Sequence, residues 1–222
     1  MDRLNKQLAV FDLDGTLLDT IGDLAESCNV MLAQRGLAQH TCEEYQTMVG
    51  NGIMRLVERA LPAELRTPEY VAEARRDFVA YYIDHIDLHS RPYDGITDVL
   101  HTLQEAGWTL AVASNKFDSG TKRLVESFFG DINFAAVYGN RDGVPLKPDA
   151  AVLHEIAAEC DVPSDKVWMI GDSGVDIITA RNAGAHSIGV TWGFRCREEL
   201  EGEQAEHIVT HPHEILDILL AK

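Results

Sequence analysis

The chain predicts an α/β fold: a mainly parallel sheet flanked by helices, with an all-helical segment inserted after the first strand. Three observations carry the prediction. Short β-type runs alternate with helical patterns beyond residue 90, which implies right-handed crossovers and parallel strands. From about Ile21 to His89 the apolar residues keep helical spacing only. One strand-like run, "LAVF" (8–11), stands alone ahead of that stretch and is the natural first strand of the same sheet.

In chain order, "LAVF" leads into "DLDGTLLDT", two aspartates one residue apart at the mouth of a buried strand. Ile21, Leu24, Cys28 and Met31 then mark a helix that Gly36 terminates. Thr41 and Glu44 have capping-box spacing. Ile53, Leu56, Val57, Ala60 and Leu61 continue the helical pattern, and Thr67-Pro68 opens a long helix through Val71, Ala74, Phe78 and Tyr82. Beyond it, "DGITDVLHTLQEAG" places Ile96, Val99, Leu100 and Leu103 on one helix face, with Gly107 as the stop. Strands are expected at "TLAVASN" (109–115), "AAVYGN" (135–140), "VWMIGDS" (167–173) and "HSIGVTWG" (186–193). "PDAAVLHEIAAEC" reads as a helix with Pro148 at its first position. There is no internal repeat or low-complexity segment.

At 222 residues the chain is long enough to bury a sizeable core. Its 36 acidic against 19 basic residues leave a net charge of −17, which argues against nucleic acid or an anionic membrane as a partner. An anionic substrate would need a local positive site. Cys28, Cys42, Cys160 and Cys196 are widely spaced, without the pairing pattern of a disulfide framework or a zinc site, and fit a reducing compartment. "MDRLNKQLAV" has no signal-peptide core, and no run reaches the ~20 apolar residues of a membrane span. The expectation is a cytoplasmic protein.

Asp12 and Asp14 follow the first strand, and Asp172 and Asp176 follow "VWMIG". Parallel strands in one sheet would bring all four carboxylates to one edge, where ligands bind. Unpaired, they would raise one another's pKa values. A divalent cation resolves that conflict, and oxygen-only ligands point to Mg²⁺. Aspartates also serve as turn formers and helix caps, and that reading stays open for either pair alone. An EF-hand loop does not fit, because the required sixth-position glycine is Leu17 and the twelfth-position Glu is Asp23. Ser114 and Asn115 end "LAVA", where a hydroxyl and amides at a helix start can hold an anion; a simple N-cap is the alternative. Lys147 is placed at the N-cap position ahead of Pro148, a poor cap there but a suitable point charge for a phosphoryl oxygen. Together these residues make a phosphoryl-transfer site.

"DLDGT", "SN", "LKPD" and "GDSGVD" occur in the order and spacing of the four motifs of the haloacid dehalogenase-like hydrolase superfamily, which the chain resembles from residue 12 to 176. "DGTLLDT", "VGNG", "SNK" and "GDSGVDI" resemble its phosphoglycolate phosphatase group most closely. The resemblance implies a Rossmann-like core, residues 1–17 and 91–222, and a small helical cap, residues 18–90. It implies Asp12 as the nucleophile that forms an aspartyl-phosphate, and Asp14 as general acid, then base. Ser114 and Lys147 would stabilise the transferred phosphoryl group, with Asn115 beside them. Asp172 would bind Mg²⁺ directly with Asp12 and the Asp14 carbonyl, and Asp176 would support the metal shell or Lys147. Gly15 would permit the tight turn, with Thr16 capping it. An acid at position 14 favours phosphate esters, since members that act on halides lack one and P-type ATPases carry Thr.

The implied substrate is a small phosphorylated metabolite, read by the cap. "GNG" (50–52), with Asn51 and Gly52, is the candidate specificity loop, and Arg55 a candidate carboxylate partner. Arg55 and Arg59, four apart on one helix, fit a solvated face equally well. His85 and His89 share that spacing but have no third ligand in view. A β-phosphoglucomutase-like mutase, a sugar-phosphate phosphatase, a pyrophosphatase and a nucleotidase share the core motifs. A phospho-aspartate switch module is the non-enzyme alternative. Its acceptor follows the third strand, however, and here the acid follows the first. A monomer or a homodimer fits equally.

Overall fold

Residues Leu8–Phe11 form β1, whose four side chains are all buried because the strand is covered on both faces. The structure, a computed structural model, describes residues 6–221. Met1–Asn5, which carry part of the N-terminal reading, lie outside the described residues. β2 (Leu18–Asp19) follows, then four helices: α1 (Ile21–Gln34), α2 (Cys42–Met48), α3 (Gly52–Ala60) and α4 (Pro68–Tyr82). β3 (Arg91–Pro92) pairs antiparallel with β2, so the helical segment leaves and re-enters through one two-stranded neck. The rest alternates: α5 (Ile96–Glu105), β4 (Thr109–Phe117), α6 (Asp118–Phe129), β5 (Phe134–Asn140), α7 (Ala151–Cys160), β6 (Val167–Gly171), α8 (Gly174–Ala183), β7 (His186–Val190), α9 (Arg197–Gly202), β8 (His207–Val209) and α10 (Glu214–Leu219).

The expected parallel sheet is present, with six strands in the order β5-β4-β1-β6-β7-β8 and every pair parallel. Alternation sends Ala9 and Phe11 to one face, packed with α5, α6 and α10, and Leu8 and Val10 to the other, packed with α7 and α8. Chain order reverses direction at β1: the chain runs outward through β4 and β5, then returns to β1's other side as β6. A crevice opens outside the carboxyl ends of the strands at such a reversal. Asp12, Ser114 and Asp172 therefore reach one place from three adjacent strands.

The helical segment follows its sequence signals. Thr41 and Glu44 form a complete capping box at the start of α2, and the Thr67 hydroxyl caps α4 by accepting from Tyr70 N. Its apolar residues, among them Tyr45, Phe78 and Tyr82, are continuous with the sheet's core through Leu13 and Leu17. Asp23 ties the neck. Its carboxylate accepts from His89 N, Ser90 N and Ser90 Oγ while only 1% exposed.

Three expectations need correction. Strand β4 runs through Phe117, so Ser114 and Asn115 lie within it, and neither caps a helix. Helix α7 begins at Ala151, whose N–H donates to Asp149 Oδ1 at 2.8 Å; Lys147 is thus not an N-cap, nor is Pro148 a first helical residue. β7 ends at Val190, which leaves Thr191–Gly193 in a loop over the carboxyl edge.

Candidate active site

Asp12 N donates to Ile170 O at 2.9 Å, so the β1–β6 ladder extends one residue and fixes the backbone of the first acid. The chain then folds back on itself. Leu17 N and Leu18 N both donate to Leu13 O, and Gly15 N donates to Leu18 O. Gly15 has φ of +87°, and a Cβ there would lie 2.5 Å from Asp172 Oδ2. Glycine is required twice, by the left-handed backbone and by the close approach. The Thr16 hydroxyl is buried without a partner and closes no cap; its carbonyl accepts from Trp192 Nε1 at 3.1 Å.

Lys147 arrives from the loop between β5 and α7. Its ammonium lies 2.7 Å from Asp176 Oδ1 and 3.0 Å from Asp12 Oδ1, and the side chain is 3% exposed. Burial works to lower its pKa, but the charges of Asp12 and Asp176 outweigh this and the net shift is upward. Asp176 Oδ2 accepts from Ser173 N and Ser173 Oγ, completing a reciprocal capping box at the start of α8. Asp176 is therefore both a helix cap and the anchor of Lys147, and neither of its oxygens is free.

Asp172 is 3% exposed, with its Oδ2 accepting from Phe194 N at 2.7 Å. Burial first, then repulsion from Asp176 and Asp12, raises its pKa well above the usual carboxylate range. Asp12 is pushed up to about 7, chiefly by burial; Lys147 opposes the shift, and Asp176 and Asp14 add to it. Ligand oxygens of Asp12, Asp172 and Asp176 lie within 4.8 Å of one another. Asp12 Oδ1 is a buried acceptor without an aligned hydrogen bond, because Lys147 approaches it out of line. A tight oxygen-only cluster with an orphaned acceptor and carboxyls held toward protonation fits a hard divalent cation such as Mg²⁺. Asp12 and Asp172 would hold it. The carboxylate of Asp14 is not in the cluster.

Asp14 is held differently. Lys116 Nζ donates to both its oxygens at 2.9 and 3.2 Å, and Thr20 Oγ1 donates to Oδ1 at 2.7 Å. Lys116 is buried over the Tyr82 ring, 5.0 Å from its centroid. One strand residue before it, Asn115 reaches across the site. Its Nδ2 donates to Lys147 O and Gly50 O, and its Oδ1 accepts from Lys147 N. Ser114 Oγ accepts from Lys116 N at 3.2 Å.

Asp12, Asp14, Ser114, Asn115, Lys147, Asp172 and Asp176 all line one cavity of about 50 Å³, room for only a small group above the acids. Leu24, Val49, Ile53 and Leu56 roof it with apolar surface, and Gly50 and Gly52 bring backbone to its edge. Of the expected substrate-binding residues, Gly15 and Thr16 lie outside its lining, and two more stand apart. Arg55 is 61% exposed and pairs with Glu58 at 2.5 Å, away from the cavity; Asn51 is not in the lining, and its Oδ1 accepts from Arg59. His89 lies 2.7 Å from Glu26 Oε2, and His85 stacks on Tyr81, so the two histidines serve different contacts.

Lys116, Phe194 and Arg195 line the cavity without having been expected there. Lys116 had a signal: it extends "SN" at the carboxyl end of a central strand. Phe194 and Arg195 were hidden by reading the strand through Gly193. A Cβ on Gly193 would lie 2.3 Å from Asp172 Cβ and Gly15 O, so the loop passes directly over the acids.

A buried carboxylate beside a lysine, with a second carboxylate two residues on and a hydroxyl opposite, can accept and release a phosphoryl group. Residues 9–190 match the haloacid dehalogenase-like hydrolase family. A phosphoglycolate phosphatase of Agrobacterium fabrum is 38% identical over 84% of this chain and 81% of its own length. Another, from Mesorhizobium japonicum, is 32% identical over 94% of this chain and 92% of its own. The crystal structure of a predicted phosphoglycolate phosphatase from Haemophilus somnus superimposes with a TM-score of 0.87 at 28% identity, covering 98% of this chain and 99% of that one.

Proposed function

This chain belongs to the haloacid dehalogenase-like hydrolase family, and from that premise we propose that it is a phosphomonoesterase with Asp12 as phosphoryl acceptor and phosphoglycolate as substrate. The observation that carries the reading is Lys147 held between Asp12 and Asp176 at the floor of a small cavity. Relatives named for phosphoglycolate phosphatase over most of this chain support the choice of ester.

The residues divide the work as follows. Lys147 and the Ser114 hydroxyl bind the phosphoryl oxygens and set the phosphorus in line with Asp12. Asp12 attacks it, and one Oδ–P bond forms as the ester P–O bond breaks. The departing oxygen takes a proton from Asp14, which lines the same cavity. Asp14 then removes a proton from water, which attacks the aspartyl-phosphate and releases inorganic phosphate. Asp176 keeps Lys147 in position, and Lys116 with Thr20 does the same for Asp14. Mg²⁺, when bound by Asp12 and Asp172, would neutralise charge on the phosphoryl oxygens.

Residues 18–90 act in this reading as a cap that excludes water, with the apolar roof and the backbone of Gly50 and Gly52 facing the leaving group. A carboxylate partner at Arg55 is not part of it. The site takes a small anionic metabolite rather than nucleic acid or membrane, which suits a cytoplasmic enzyme; no helix among the described residues is long and apolar enough to cross a membrane. A screen of phosphate esters with Mg²⁺ tests the reading. Phosphoglycolate should give the highest kcat/KM among small esters. Turnover of none of them, or full turnover after exhaustive chelation, would overturn it.

A further inference from the structure

Arg195 lies in the loop after β7, in the sheet-bearing part of the chain, yet its guanidinium reaches the helical segment. Its two terminal nitrogens donate to Gln46 O and Val49 O, at the C-terminal end of α2. Those carbonyls have no partner inside a helix that ends at Met48, and a cation at a helix C-terminus is favoured by the helix dipole. From the other side, Arg59 donates to Met48 O and to Asn51 Oδ1. The loop 46–51 is thus held by one arginine of its own segment and one from across the cavity. Asn115 makes the only other described hydrogen bond from the sheet to this loop, a longer one of 3.3 Å to Gly50 O.

The neighbour of Arg195 in sequence, Phe194, donates its N–H to Asp172 Oδ2. One dipeptide therefore grips the roof with a side chain and an active-site acid with a backbone amide. Arg195 also has a second partner within reach: Glu199 Oε2 lies 3.6 Å from its Nε, one helical turn on. Its side chain is therefore held from both sides at once, by Nε toward the sheet-bearing part and by the terminal nitrogens toward the loop.

We propose that Arg195 is a positioning residue, a strap that closes loop 46–51 over the cavity while Glu199 steadies its guanidinium. The inference rests on residues 18–90 moving as a cap, and on no particular ester. With the strap engaged, the Gly50–Gly52 backbone sits at the rim of the cavity. Released, the loop keeps Arg59 but loses its main tie to the sheet.

Hydrogen exchange on the whole 222-residue chain without metal tests this without turnover. In Arg195→Ala, amides of residues 46–56 and of Phe194 should exchange about a hundredfold faster, roughly tenfold for each of the two hydrogen bonds lost from a charged donor. Peptides from α4, β1 and β6 should be unchanged. Arg195→Lys, which keeps the charge but cannot span two carbonyls, should fall between the two. With p-nitrophenyl phosphate and Mg²⁺, Arg195→Ala should raise KM about tenfold and leave kcat within about threefold, since only the closed fraction of free enzyme changes. Unchanged exchange at 46–56 would overturn the strap, even if the enzyme hydrolyses phosphoglycolate as proposed. So would uniform acceleration in every peptide for both variants, which would assign Arg195 to general stability. If the wild type turns over no ester, the exchange result alone decides the strap, and the failure belongs to the proposed function.

Discussion

Lys147 is almost wholly buried between two carboxylates, so its charge is needed as much for folding as for chemistry. Replacing it by Met leaves Asp12 and Asp176 facing each other without a cation, a loss of about 3–5 kcal/mol for a broken buried pair. Urea denaturation without metal should read that loss, and added Mg²⁺ should recover part of it. Asp14→Asn is predicted to be milder for stability and severe for turnover, lowering kcat on an alkyl phosphate about 10²–10⁴-fold as an acid–base residue is lost. The acids of this site were legible in the sequence because each follows a strand, and parallel strands deliver their ends to one edge. Arg195 was not, and Lys116 only as the residue that extends "SN". Their partners lie 102 residues away at Asp14 and 149 and 146 away at Gln46 and Val49, and no local pattern encodes a contact of that range.

At the level of elements, the helices of residues 21–82 could be read from apolar spacing and from two caps, Thr41 and Thr67, whose side chains do what their positions suggest. β2, β3 and β8 could not, because two or three residues carry no periodicity. The start of α7 was misplaced for a different reason. Pro148 fits a first helical position, but the Asp149 carboxylate takes Ala151 N and defers the helix. The neck formed by β2 and β3 depends on Asp23, whose carboxylate satisfies three donors from His89 and Ser90. Asp23→Ala should cost at least about 3 kcal/mol, since buried donors left unpaired cost about 1–3 kcal/mol each. Denaturation by urea would measure it. A loss under about 1 kcal/mol would mean that the neck is held by β2–β3 pairing alone.

For the whole molecule, the acid cluster links stability to pH and metal. The native pKa of Asp12, about 7, lies above the ordinary value of 3.8, so the native state binds the extra proton. Its share of stability is full below about pH 4 and is lost as pH rises through 7. Asp172 is raised too, for the same reason of burial beside like charges, and acts in the same direction. The Tm of the metal-free protein is therefore predicted to carry a downward contribution between about pH 4 and 7. Mg²⁺ should raise Tm more at pH 8 than at pH 5, where protons compete for the same oxygens. An equal Mg²⁺ effect at both pH values would contradict the placement of the cation among Asp12 and Asp172.

If Asp12 carries the phosphoryl group as proposed, Asp14→Asn exposes it most directly. This variant keeps the nucleophile and loses the base, so p-nitrophenyl phosphate, with a leaving group that needs little protonation, should phosphorylate it while hydrolysis of the adduct stalls. Rapid quench followed by mass spectrometry should find one added phosphate on the peptide that contains Asp12, accumulating toward one per chain. No adduct at any quench time, or a phosphate on a different residue, would contradict the account.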